Sequence, residues 1–298
     1  MSGRRDKRDH RGPRQQGHRP PHSGGKPDGR PQGPRRDPRA ERGEQRRDHG
    51  RGGEGRLWLY GQHAVEAALV NPRRYAHELR ARADALSALG AEAAAAVARR
   101  GLHPRIVEND DLAALLPPGA VHQGLALRVE PLDQPALEEL DCVQNDAPAT
   151  ILLLDQVTDP QNVGAILRSA AAFGASAVIT QDRHSPPESG ALARAASGAL
   201  EVVPWIRTVN ISRTLDQLAE RGFWRIGLDG AAEQNLPDVD LGARIVLILG
   251  AEGAGLRPGT QKHCDLLARL PITRAVESLN VSNAAAVALY EFARRKSA

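Results

Sequence analysis

Beyond Thr150 the chain alternates short aliphatic runs with segments whose apolar residues recur every three or four positions. Residues 151–154, 177–180, 202–208, 224–229 and 244–250 read as strands, and the near-continuous apolar runs among them predict burial on both faces. Ile166, Leu167, Ala170, Ala171 and Phe173 are apolar at helical spacing. They predict a helix that starts near Gly164 and stops at Gly174, with Arg168 on it and Asn162 in the loop before it. ALARAASGAL, SRTLDQLAERG (capped by Asn210 or Ser212) and NAAAVALYEFARR (capped by Ser282) predict three more helices. The alternation gives an α/β fold, a mostly parallel sheet with helices on both faces.

Residues 57–129 repeat the pattern on a smaller scale. Leu57, Leu59 and Tyr60 predict a strand, and residues 63–70 an amphipathic helix stopped by Asn71 and Pro72. HELRARADAL suits a strand or a helix, AEAAAAVARRGL a helix, HPRIVE a short strand, residues 110–116 a small helix, and HQGLALRVEP a closing strand. Residues 56–130 are thus expected to form a small α/β domain. Residues 131–148, rich in Pro, Asp and Glu, hold one helix, LEELDCV, and otherwise read as a linker to a larger domain over 149–298. Residues 1–55 mix Arg, Gly, Pro, Gln, His and Asp without periodicity. They cannot bury enough apolar surface to offset their ordering entropy, so disorder is expected there.

Charge sharpens that division. Of the chain's 40 Lys and Arg and 36 Asp and Glu, residues 1–56 hold seventeen and eight, leaving 23 basic against 28 acidic side chains elsewhere. The basic balance belongs to the tail, which suits either a non-specific RNA tether acting through phosphate neutralisation or a solubilising extension. Aromatics make up only 3%, so the core must be Leu, Val, Ile and Ala. Cys142 and Cys264 stand apart, without disulfide or metal-ligand spacing, as expected of reduced thiols in a cytoplasmic protein. No apolar run approaches the roughly eighteen residues of a membrane span, and the N-terminus has no apolar signal core. A soluble, intracellular protein without a metal site is expected.

Three stretches hold candidate chemistry. Asn162 and Arg168 follow the first strand of the larger domain, near the carboxyl end of a buried strand, where ligands of open α/β sheets bind. GAEGAG, from Gly250 to Gly255, follows the most apolar strand; its glycines suit a plain tight turn or close approach to a ligand, and Glu252 favours the ligand. Its spacing fits neither a dinucleotide fingerprint nor a phosphate P-loop. LPITRAVESLNVSN, from Leu270 to Asn283, runs from a strand end through a polar loop to a helix; Ser282 suits a cap, and Ser278 and Asn280 suit a site.

Taken together and in this order, Asn162-x-Gly164-x-x-x-Arg168, ILGAEGAGL and LPITRAVESLNVSNAAAVALYE resemble the three motifs of the SpoU (TrmH-type) RNA 2′-O-ribose methyltransferases, over residues 150–296. YGQHAVEAAL is similar to the start of the small RNA substrate-binding domain of the branch that methylates a guanosine in 23S rRNA. The resemblance implies a SPOUT fold with a C-terminal trefoil knot, a homodimer, and S-adenosylmethionine as cofactor. It implies Gly250, Ala251, Gly255, Leu270 and Leu279 as the cofactor cradle. Arg168, Asn162, Glu252, Ser278 and Asn280 become the catalytic set, and RNA (23S rRNA or a ribosome-assembly intermediate), not DNA or a membrane, the partner. A tRNA substrate, or a catalytically silent RNA-binding module of the same fold, are the alternatives.

Overall fold

The computed structural model describes residues 57–240, 242–273 and 275–296; the basic tail and its expected disorder lie outside them. The first sheet is built from β1 (Leu57–Tyr60), β2 (Ala76–Ala81), β3 (Arg105–Ile106) and β4 (Leu125–Val129). Their order is β1-β4-β2-β3, with β4 antiparallel to both neighbours and β3 parallel to β2. Leu59, Leu79, Leu125, Leu127 and Val129 point to one face, where they pack with α1 (Gln62–Val70) and α3 (Ala91–Arg99). HELRARADAL resolves into β2 and the short helix α2 (Ala83–Ser87), and α4 (Asn109–Leu115) packs on the other face of the sheet.

The stretch 131–148 is packed. Its predicted single helix breaks at Leu140, whose extended backbone separates a 3-10 turn at Leu137–Glu139 from α5 (Asp141–Gln144). Leu137, Leu140 and Val143 are buried against the larger sheet.

That sheet comprises β5 (Ala149–Leu154), β6 (Ala177–Gln181), β7 (Trp205–Thr208), β8 (Trp224–Leu228), β9 (Gln234–Asn235), β10 (Arg244–Leu249) and β11 (Leu266–Arg269). Every pairing is parallel, in the order β7-β6-β5-β10-β8-β11-β9. Alternate residues of β5 serve opposite faces. Ile151 and Leu153 pack with Ile211, Leu215 and Leu218 of α8 (Ile211–Ala219). Leu152 and Leu154 pack with Val163, Ile166 and Leu167 of α6 (Pro160–Ala172) and Leu289 and Phe292 of α10 (Val281–Lys296). The helix α7 (Gly190–Ala196) lies against α6 at Gly164, where a Cβ would fall 2.4 Å from the Leu192 carbonyl oxygen. A further short helix, α9 (Pro258–Gln261), precedes β11.

Two helix starts differ from expectation. The helix α6 begins at Pro160, four residues before Gly164, because the Asp159 side chain accepts from Gln161 N at 2.9 Å and proline suits the first helical position. Asn162 therefore rides on the first turn of α6, not in the loop. For α10 the cap is Asn280, whose Oδ1 accepts from Ser282 N at 2.9 Å; Ser282 is already inside the helix. Asn210 does cap α8, accepting from Arg213 N.

A buried ionic cluster ties residues 71–74 to the segments on either side of α7. Arg74 is 1% exposed; its guanidinium meets Glu188 and Glu201 at 2.6 Å each, and Asn71 Nδ2 donates to Glu201 at 2.7 Å. Burial pushes the Glu188 carboxyl above its ordinary pKa, against the pull of Arg74. Arg74→Ala would leave two carboxylates buried without their cation, an expected loss of about 3–5 kcal/mol in urea unfolding. A loss below about 1 kcal/mol would mean that water enters the cluster.

Candidate active site

The sheet order reverses direction between β5 and β10, so the loops after these two strands lie side by side at the carboxyl edge, where open α/β sheets bind ligands. Residues 250–257 leave β10 in a tight hairpin, in which Gly255 N donates to the Ala251 carbonyl at 2.9 Å. Gly250 is confined by that return: a Cβ there would sit 2.1 Å from the carbonyl carbon of Gly255 and 2.4 Å from Leu256 N. Only glycine permits two backbones so close.

The hairpin is anchored to the end of β5. Asp155 is wholly buried, and its Oδ2 accepts from Thr260 Oγ1 at 2.7 Å and from Arg257 N at 3.3 Å. Arg257 Nη2 lies 2.6 Å from Asp155 Oδ1, an ion-pair contact without the alignment of a hydrogen bond.

The three predicted stretches meet at Glu252. Its Oε1 accepts from Asn162 Nδ2 at 3.1 Å, from Asn280 Nδ2 at 2.5 Å and from Val281 N at 3.4 Å. Asn280 Nδ2 also donates to Asn162 Oδ1 at 3.0 Å, while Asn280 Oδ1 caps α10. One amide therefore joins α6, the hairpin and α10.

Beside this junction lies a cavity of about 460 Å³, in the range of small-molecule sites. Gly250, Ala251, Glu252, Gly255, Leu270, Ser278 and Leu279 all line it, so the predicted cradle and two of the predicted catalytic residues share one hollow. Arg168 is not among the lining residues. It is exposed on α6, six residues past Asn162 and so about 9 Å further along the axis, and makes no hydrogen bond or ion pair among the described residues.

Sequence reasoning missed part of the lining. Asp229, Ala231, Gln261, Ile272 and Glu277 contribute to it as well. Asp229 is held by Ala231 N at 2.9 Å and Gln261 Nε2 at 3.1 Å. Its position just after β8, in a parallel sheet, was the available signal. The fit to a cationic, nucleoside-bearing cofactor is good: aliphatic side chains and backbone groups make most of the wall, and Asp229, Glu252 and Glu277 supply negative charge.

The profile of the SpoU rRNA Methylase family matches residues 149–290, and that of RNA 2′-O ribose methyltransferase substrate binding matches residues 58–135. The 23S rRNA (guanosine-2′-O-)-methyltransferase RlmB of Pseudomonas putida is 40% identical over 248 residues, covering 80% of this chain and 96% of the relative. The chain belongs to the SpoU rRNA methylase family. The relative of the same name from Coxiella burnetii is 44% identical over 180 residues, covering 59% of this chain and 72% of the relative. In three dimensions, the SpoU methyltransferase AviRb of Streptomyces viridochromogenes, solved with AdoMet, superposes with a TM-score of 0.69. It covers 82% of this chain and 92% of AviRb at 23% identity, a likeness of fold. Gly250, Glu252 and, twenty-eight residues after Glu252, Asn280 all fall within the matched residues 149–290. No helix among the described residues is long and apolar enough to cross a membrane.

Proposed function

We propose that this chain transfers a methyl group from S-adenosylmethionine to a ribose 2′-hydroxyl of RNA, at a guanosine of 23S rRNA. The observation that carries the reading is the Glu252 junction, where three motif segments are hydrogen-bonded beside one cavity of suitable size and charge. The substrate is supported by the names of the curated relatives and by the substrate-binding profile over residues 58–135.

When bound, the cofactor supplies an electrophilic methyl on a sulfonium. Gly250, Ala251, Gly255, Leu270 and Leu279 would hold it through backbone groups and aliphatic contact. Glu252 and Asn280 keep the loops in register, Asn162 links them to α6, and Ser278 adds a polar contact. Arg168 is assigned to the ribose oxygen. A guanidinium keeps its proton in proteins, so Arg168 acts as a positioner and stabiliser of the developing alkoxide, not as the base. We extend the proposal to a C-terminal segment threaded as a trefoil knot and to a cytoplasmic homodimer. Val287 and Tyr290, exposed apolar residues three apart on α10, support a packed partner there.

The deciding experiment incubates the full chain with methyl-labelled S-adenosylmethionine and either a 23S rRNA transcript or bulk tRNA. Label is expected in 2′-O-methylguanosine of the 23S transcript. Label confined to tRNA would overturn the substrate, and cofactor binding without transfer to either RNA would mean a silent module.

A further inference from the structure

The small sheet has one face sealed by α1 and α3, and its other face only partly covered. Strand register fixes what that second face presents. Trp58 on β1, Arg128 on β4 and Glu78 on β2 lie directly across from one another in one row. Tyr60, Ala126, Arg80 and Arg105 make the next row. Packing from α4 buries Tyr60 and Ala126 through Leu112 and Leu116. The remaining patch brings three guanidiniums around one carboxylate: Arg80 Nε is 2.8 Å from Glu78, and Arg105 and Arg128 are 3.5 Å from it. Arg80 also stacks over the Trp58 ring, 5.3 Å from its centroid.

This arrangement is not explained by stability. One carboxylate cannot neutralise three cations, and Arg128 Nε is buried without a hydrogen-bond partner. The Arg105 side chain is 67% exposed, held only at 3.5 Å. Residues 57–130 balance overall, with eight basic and eight acidic side chains, so the surplus on this face is a local concentration of positive charge. Such a concentration, beside an aromatic ring, suits a polyanionic strand.

We infer that the open face of the four-stranded sheet, built from Arg80, Arg105, Arg128 and Trp58, binds the phosphodiester backbone of the RNA substrate. Glu78 gathers the guanidiniums and sets their spacing. Contact here is to phosphates and carries no base readout, so it positions the RNA while the cavity 250–279 sets the chemistry. The inference rests on the proposed RNA methyl transfer, but its failure has a separate signature.

The test measures binding of the full chain to the 23S rRNA transcript across a salt series, with thermal melting of each variant. Arg105→Glu alters an exposed side chain and is expected to weaken binding about tenfold and flatten the salt slope by roughly 0.7–0.9 for each phosphate that is no longer neutralised. Glu78→Gln removes the carboxylate at the centre of the patch and is expected to tighten binding about threefold, the opposite of what a damaged scaffold would do. Arg213→Glu, an equal charge change on α8, should leave affinity unaltered. Should Glu78→Gln fail to fold, Arg105→Glu decides alone. Arg105→Glu indistinguishable from wild type or from Arg213→Glu would overturn the assignment, as would a protein partner released from this face while RNA affinity stays unchanged. In those cases methylation of the transcript by wild type would continue, whereas failure of the broader reading would remove methylation from wild type itself.

Discussion

Arg168→Ala is expected to lower the single-turnover rate of methyl transfer by about 10²–10³, while S-adenosylmethionine binds within about threefold of wild type. The separation follows from placement. Arg168 is on α6, outside the lining of the cavity, and has no hydrogen bond or ion pair among the described residues. Removing it costs the fold little and the cofactor little. In the proposed mechanism it takes away the positive charge that steadies the oxygen becoming an alkoxide, an effect worth about 3–4 kcal/mol. Arg168→Lys should recover only part of the rate, because an ammonium lacks the planar fork of donors. Calorimetry for the cofactor and quench-flow for the chemistry measure the two halves. Near-normal turnover in Arg168→Ala would remove this side chain from the mechanism; a cofactor affinity that collapses with the rate would move it into the cradle.

The second large effect is steric. Gly250→Ala places a methyl 2.1–2.4 Å from the backbone of Gly255 and Leu256, atoms that cannot swing aside as a side chain would. The hairpin must open, at an expected cost of about 1–3 kcal/mol. If the hairpin is the cradle, that cost is read as a ten- to hundredfold rise in the cofactor dissociation constant. Gly253→Ala is the matched comparison: its φ of +75° disfavours a side chain, but a Cβ there meets nothing within 4 Å. It should weaken binding by less than tenfold. Equal effects of the two substitutions would show that loop strain, not closure of the cavity wall, governs affinity.

How much of this was legible in the sequence depends on whether the determinant was local. The strands of the larger sheet were legible because aliphatic runs such as Ile151–Leu154 and Ile245–Leu249 have nowhere to go but a doubly covered sheet. The hollow after β10 was signalled by Glu252, a carboxylate that a plain glycine turn does not need. The start of α6 was not, because proline between polar residues ordinarily punctuates a loop; beside Asp159, Pro160 is a helix opener. The sequence pattern pointed to Ser282 as the cap of α10, two residues late, because Ser and Asn cap equally well and only the amides that donate to Asn280 Oδ1 decide between them. LEELDCV reads as one helix because propensity cannot register that Leu137, Leu140 and Val143 must all reach the same sheet face. The Arg74 cluster with Glu188 and Glu201 was invisible because its meaning lies in partners well over a hundred residues away.

The amide of Asn280 also couples two parts of the fold. Without it α10 has no cap and Glu252 loses a donor from the far side of the cavity. Every strand of the larger sheet is complete by Arg269, so this clasp on the β10 hairpin comes from chain that follows the whole sheet.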